Sequence, residues 1–201
     1  MSNEKLTMAE RRAKGLVWID DGENMSQQAF ARSLCQDFNH TRATEAEKRE
    51  EIWHKLFAHC GKNVWIEPPL TLAMGNTVSI GDGTYINSNL TLVDDYKVTI
   101  GNNVLIAPNV TISTTNHPLH YKARLRCEMY SKEVVIEDYV WIGSNVVICP
   151  GVTIGMGSVI GAGSVVTRDI PPMTFAAGVP CKVIREITDE DLNTFEPIPE
   201  E

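Results

Sequence analysis

The sequence predicts a mainly β protein, a parallel β-helix of stacked coils, with a helical segment ahead of it and one long loop leaving it. Three observations carry that expectation. From Val134 to Ile170 an aliphatic residue recurs at every sixth position: Ile136, Ile142, Ile148, Ile154, Ile160 and Val166. A second register, two residues earlier, runs Val134, Val140, Val146, Val152, Ser158 and Ser164. Turn formers follow each hexad, as in Gly143-Ser144-Asn145 and Gly161-Ala162-Gly163. A period of six matches neither the 3.6 of a helix nor a long alternating strand, and it is shorter than the roughly 8–12 residues between sandwich strands. It does match a strand of a few residues plus a corner. Three hexads then close a triangular coil of roughly eighteen residues, and successive coils pair at about 4.8 Å.

Ahead of the repeat, residues 4–14 have helix-forming composition, Gly15 is placed to end that helix, and Leu16-Val17-Trp18-Ile19 reads as an apolar clasp. A second helix is expected from near Ser26, with Phe30, Leu34 and Phe38 forming one apolar stripe. Thr44 and Glu47 have capping-box spacing, which starts a third helix carrying Ile52, Trp53, Leu56 and Phe57 and ending near Gly61. Three short helices cannot bury such faces alone. Residues 1–61 are therefore expected to cover one end or side of a solenoid spanning 62–187.

The solenoid should open near Val64-Trp65-Ile66 and become periodic at Val78/Ile80. Its register slips by two across Asp94-Asp95-Tyr96-Lys97, which predicts a polar bulge on the surface and singles out Asp94 and Asp95. The aliphatics stop after Ile112 and resume at Val134/Ile136, so residues 113–133 should leave the helix as an extruded loop. Long loops on rigid scaffolds are where function concentrates. Pro171-Pro172 ends the strand pairing, an extended stretch follows, and residues 188–201 form a tail with a short helix from Thr188 and an acidic, proline-containing end.

With 201 residues, 43% of them hydrophobic and 22% charged, the chain suits one folded domain with an appendage. A net charge of −8 argues against a nucleic acid or an anionic membrane as the main partner. No apolar run approaches the roughly 20 residues that span a bilayer, and the N-terminus has no secretory h-region. The five cysteines are scattered without CxxC spacing and read as the reduced thiols of a cytoplasmic protein, neither a disulfide frame nor a zinc site.

In the loop, His117 stands between Asn116 and Pro118. A neutral imidazole is suited to take the proton of an attacking hydroxyl. The repeat, this Asn-His-Pro step and the stretches LTLVDDYKVTIGNNVLIAPNVTIS, VWIGSNVVICPGVTIG, VIGAGSVVTRDIPP and AAGVPCKVIREI resemble the hexapeptide acyltransferases. More narrowly, the chain resembles galactoside (thiogalactoside) O-acetyltransferases, with maltose O-acetyltransferases as the nearest sister group. The resemblance implies left-handed coils and a homotrimer with active sites between subunits. It also implies acetyl-CoA as co-substrate, a sugar hydroxyl (the 6-OH) as acceptor, and no metal.

Residue by residue, the resemblance makes His117 the general base and Asn87 a sugar contact that stabilises the oxyanion. Asp95 becomes an acceptor-binding carboxylate, as does Asp20 or Asp21, between which spacing does not choose. Gln28 stands where an arginine is usual, with Arg32 a turn later. Tyr85 and Met129 line the acceptor cleft, Trp141 walls the site, and Ser144, Ala162 and Thr167 touch the pantetheine arm and adenine end. Arg168, Lys182 and Arg185 cluster in the last coil and tail, where cations can meet phosphates. From the residues alone, Asn87 also reads as a corner asparagine, Asp95 as a solvated turn carboxylate and the basic trio as surface charge. Three further readings stand beside this one: a maltose, glucose or other acceptor on the same scaffold, a non-catalytic β-helix, and a zinc carbonic anhydrase. The last needs three converging histidines, and outside the helical N-terminus only His117 and His120 are present.

Overall fold

The computed structural model of the protein describes residues 6–193, and in it each coil gives one strand to each of three parallel sheets. The first sheet stacks His59–Cys60, Val78–Ile80, Val98–Ile100, Val134–Ile136 and Thr153–Ile154. The second stacks Trp65–Ile66, Tyr85–Ile86, Leu105–Ile106, Trp141–Ile142 and Val159–Ile160. The third stacks Leu70–Leu72, Leu90–Val93, Thr111–Ser113, Val147–Ile148 and Val165–Val166. The first strand, His59–Cys60, thus precedes the opening expected at Val64.

The six-residue register is the core: Ile136, Ile142, Ile148, Ile154, Ile160 and Val166 are all 0% exposed. Burying each such side chain contributes about 1.5–3 kcal/mol. The serines that end the second register are buried for a different reason. Ser158 Oγ donates to the Pro171 carbonyl at 2.7 Å, and Ser164 Oγ accepts the Gly178 N–H at 3.0 Å. Both hydroxyls tie down the segment that closes the last coil. There Thr174–Ala177 adds a strand to the second sheet and Lys182–Glu186 pairs antiparallel with it. A 3-10 helix, Asp189–Asn193, follows, and the acidic end at 194–201 lies outside the described residues.

Coil length is not constant, and the variation sits at one corner. Ile136 pairs with Ile154, eighteen residues on, whereas Val78 pairs with Val98, twenty residues on. The extra residues fall between the third sheet and the first, at Ala73–Thr77 in one coil and Asp94–Lys97 in the next. The loop at 113–133 leaves from the same corner of the third coil. One edge of the prism therefore holds every insertion. The corner between the second and third sheets stays uniform in length, and from the second coil on it turns on a left-handed residue: Asn89, Asn109, Asn145 and Gly163, with φ from 60° to 72°. Asparagine and glycine tolerate that region where other residues are strained.

Of the three helices ahead of the solenoid, α1 (Met8–Ala13) buries no residue and reaches the Asp95 carbonyl through Arg12, whereas α2 (Gly22–Asn39) and α3 (Ala46–Leu56) pack on the first coil. Of the helix expected over 4–14, residues 4 and 5 lie outside the described residues. Thr7 caps α1 in a capping box with Glu10. Thr7→Ala is expected to cost about 1 kcal/mol, read as a lower urea midpoint; an unchanged midpoint would show that α1 does not contribute to the cooperative unit.

Two expectations about the helices are corrected. The buried face of α2 is Ala31, Cys35 and Phe38, while Phe30 is 54% exposed. The rotation is set by the edge strand: Asn39 both donates to the Leu70 carbonyl (2.8 Å) and accepts its N–H (2.7 Å), and Cys35 Sγ reaches the same carbonyl at 3.0 Å. Nor does Thr44 cap α3. The N-cap is Glu45, which makes no side-chain cap bond because its carboxylate accepts the Arg42 N–H at 2.6 Å. Ile52, Trp53, Leu56 and Phe57 are buried as expected.

Candidate active site

The inserted edge is built around Asp94. Its carboxylate accepts the backbone N–H groups of Ala73, Met74 and Gly75 at 2.7–3.1 Å and the Thr77 hydroxyl at 2.8 Å. It thereby clasps the insertion of the coil below. Asp94 is 0% and Asp95 8% exposed, so the expected surface bulge is folded inward. Sequence could flag these residues as polar, but the backbone donors that bury Asp94 leave no trace in it.

Asp95 faces the helical segment. Gln28 Nε2 approaches its Oδ1 at 3.5 Å, and Arg12 Nη1 donates to its backbone carbonyl at 2.8 Å and to Asn24 Oδ1 at 2.9 Å. Burial raises the Asp95 carboxyl above its ordinary value, opposed by a hydrogen bond from Thr115 and reinforced by the charges of Asp94 and Asp20. The folded state then binds more protons than the unfolded chain above pH 3.8, and stability falls as pH rises through the raised value. Asp95→Asn is accordingly expected to unfold at higher urea than wild type near pH 7, with the difference closing below pH 3.8. An equal or lower midpoint at pH 7 would contradict the cost assigned to this charge.

The two candidates near the N-terminus separate by geometry. Asp21 caps α2, its Oδ1 accepting the Asn24 N–H at 2.9 Å. Asp20 lies within electrostatic reach of Asp95 and accepts from the Asn24 amide. Trp18 fixes this segment to the loop. It exchanges backbone hydrogen bonds with Met129, both 2.9 Å, and its Nε1 donates to Ser131 Oγ at 3.0 Å. Of the apolar clasp read from sequence only Trp18 is buried, with Arg12 stacked 4.7 Å from the indole centroid, while Leu16, Val17 and Ile19 are exposed.

The loop itself is a short antiparallel ribbon, Thr115–Asn116 with Tyr130–Ser131, carrying a small helix α4 (Tyr121–Arg124) at its far end. His117 follows the ribbon's first strand and is exposed. Its Nδ1 lies 3.1 Å from the Glu128 carbonyl oxygen. A carbonyl can only accept, so this contact places the ring proton on Nδ1 and leaves the Nε2 lone pair outward. His120 caps α4 and stacks on Tyr121, a local role.

The other candidates lie elsewhere. Asn87 is on the corner between the second and third sheets, yet the left-handed residue there is Asn89, so backbone strain does not explain Asn87. Its Oδ1 accepts the Ser88 N–H at 2.8 Å, and among the described residues its Nδ2 has no acceptor. Ser144 and Ala162 lie two and three coils further along this edge, eighteen residues apart, where Gly163 N–H bonds the Ser144 carbonyl at 2.8 Å. A Cβ on Gly143 would fall 2.7 Å from the Ala162 nitrogen, so these corners stack in direct contact. Tyr85 and Trp141 project from the second sheet, 36% and 52% exposed.

Thr167 and Arg168 return to the inserted edge, in the last coil. Lys182 and Arg185 sit on the terminal antiparallel strand. Arg168 and Lys182 are exposed and make no ion pair among the described residues. Arg185 is already engaged, bidentate to Asp191 at 2.7 and 2.8 Å. Apart from Tyr85 and Trp141 on the second sheet and Lys182 and Arg185 on the terminal strand, the solenoid candidates fall on two edges of one protomer. His117, Asp20, Asp95, Met129, Thr167 and Arg168 share the inserted edge; Asn87, Ser144 and Ala162 share the uniform one. A sheet face of three or four residues, about 10–13 Å, lies between.

Buried thiols offer no nucleophile: burial pushes Cys35 and Cys60 each up to about 11. Among the described residues no cluster of three or more His, Cys, Asp or Glu is placed to hold a metal. A cleft of about 1050 Å³ lies between α1, α2 and the first sheet and meets the candidates at Asp21 and Asp95 only.

Two family models match the chain: a bacterial transferase hexapeptide (six repeats) over residues 133–168, and a maltose acetyltransferase hexapeptide capping motif over 19–61. The chain is 53% identical to the galactoside O-acetyltransferase of Escherichia coli (strain K12) across 191 residues, 94% of each protein. Among solved structures, a galactoside acetyltransferase in complex with coenzyme A superposes with a TM-score of 0.91 at 50% identity, covering 98% of this chain and 100% of that one. A maltose O-acetyltransferase from Clostridium difficile 630 gives a TM-score of 0.89 at 39% identity, covering 92% and 99%.

Proposed function

Since the chain belongs to the galactoside O-acetyltransferase family of hexapeptide-repeat transferases, an acetyl-CoA-dependent group, we propose that it acetylates the 6-OH of a galactoside or related sugar by direct transfer, with His117 as general base. The supporting observation is the 3.1 Å contact of His117 Nδ1 with the Glu128 carbonyl, which leaves Nε2 free to accept a proton. Nε2 takes the hydroxyl proton as that oxygen attacks the thioester carbonyl carbon. The C–O bond forms, negative charge gathers on the carbonyl oxygen, and Asn87 Nδ2–H donates to it. As the C–S bond breaks, His117 returns its proton to the leaving sulfur, so one imidazole serves both halves of the reaction. Asp20 and Asp95 accept hydrogen bonds from sugar hydroxyls, while Asp21 holds α2 in place. Tyr85 and Met129 border the acceptor and Trp141 the donor.

The division of candidates between two edges favours a homotrimer with each site between subunits. His117 of one copy then meets Asn87 of the next, and the donor runs between Thr167–Arg168 on one edge and Ser144–Ala162 on the other, with Lys182 and Arg185 near its phosphates. Arg185 can serve there only by sharing its guanidinium with Asp191. The same reading takes residues 1–61 as the cap, 62–187 as the catalytic solenoid and 188–201 as a tail, and places the protein in the cytoplasm, where its five unpaired cysteines are at home. No described helix is long and apolar enough to cross a membrane.

A maltose or glucose acceptor is the second reading, favoured by the capping-motif match over 19–61. Free-thiol release from acetyl-CoA, measured with isopropyl thiogalactoside, lactose, glucose and maltose, separates the two. NMR of the product locates the ester. Transfer to no sugar, or an ester on a ring hydroxyl, would overturn the proposal.

A further inference from the structure

The cleft between the N-terminal helices and the first sheet is built like a sugar site of its own. Its volume of about 1050 Å³ lies at the top of the roughly 300–1,000 Å³ range for pockets that enclose a whole small molecule, far more than one hexose ring fills. Its walls offer amides from Gln27 and Asn76, hydroxyls from Thr77, Ser79 and Thr99, and the ring of Tyr96. Amides and hydroxyls both donate and accept, as sugar hydroxyls require, and an aromatic ring gives a flat apolar face for the C–H side of a pyranose. Arg12 and Lys97 face four carboxylates, Asp21, Glu23, Asp95 and Glu133, so the cleft disfavours an anionic ligand.

The cleft is also preformed. Gln27 Nε2 donates to the Met74 carbonyl at 2.9 Å, and Arg12 bridges to the Asp95 carbonyl, so both helices are pinned across it. Preorganised walls spare a ligand the cost of ordering them. Asp95 belongs both to this cleft and to the acceptor residues described above. We infer that the cleft is a second sugar subsite, and that the natural acceptor is a disaccharide or longer neutral glycoside whose further rings lie along the first sheet. The inference rests on reading Asp95 as an acceptor contact.

Calorimetric binding without acetyl donor tests it, comparing methyl β-galactoside with lactose and methyl α-glucoside with maltotriose. In at least one pair the longer glycoside is expected to bind about 10-fold more tightly. Ser79→Trp and, independently, Asn76→Trp should erase that difference while leaving the methyl glycoside's Kd unchanged, which also reports an intact fold. Equal Kd within both pairs, no binding of the longer sugars, or a preference that survives both tryptophans would overturn the subsite. Because no acetyl transfer is measured, such a failure leaves the transferase reading standing. Loss of transfer with this binding pattern intact would sink the transferase reading alone.

Discussion

His117→Ala is expected to slow acetyl transfer by about 10²–10⁴-fold while KM for the sugar changes little. The side chain is exposed, and its one hydrogen bond is to the Glu128 carbonyl, so its removal leaves no buried group unpaired and the melting temperature should hold. The acceptor contacts proposed for Asp95 and Asp20 would persist, which is why the loss should appear in kcat. His117→Gln sharpens the test, because its amide can still bond the Glu128 carbonyl yet cannot take a proton. Should either variant keep more than a tenth of wild-type turnover, proton removal by this ring is excluded.

Mixing defective chains should restore what each has lost. Asn87→Ala alone is expected to lower kcat by about 10²–10³-fold, the usual effect of deleting one oxyanion donor. If each site takes His117 from one copy and Asn87 from its neighbour, a mixed trimer of the two variants regenerates intact sites. Random assembly from equal amounts makes about one interface in four wild type at both positions. Co-expressed or co-refolded variants should therefore recover roughly a quarter of wild-type activity, against about one per cent or less for either alone. Activity that stays at the level of the single variants would place both groups in one subunit's site, and the split between edges would need another explanation.

Much of this architecture is legible because a six-residue repeat projects onto burial without ambiguity: Ile136 to Val166 all face inward. The loop is legible as a gap in that pattern. Helix phase is not, because Phe30 and Ala31 compete for the buried face of α2 and the choice is made by Asn39 gripping the distant Leu70 backbone. The burial of Asp94 is hidden for a similar reason: its partners are peptide N–H groups, which every sequence possesses. For the candidate site, resemblance singles out residues but does not place them. Counting hexads assigns each residue a corner in principle, yet the two-residue insertions at 73–77 and 94–97 shift the count, and the coordinates are needed to show that His117 and Asn87 stand on different edges.

That all insertions gather at one corner has a consequence for how such a molecule can change. The flanking ladders pair Val78 with Val98 and Val98 with Val134 in unbroken register, although very different lengths of chain join those strands to the ones before them. Length along this seam is thus mechanically uncoupled from the stacking. New recognition surfaces can be spliced in there, and old ones trimmed, without disturbing the column of aliphatics that holds the prism upright.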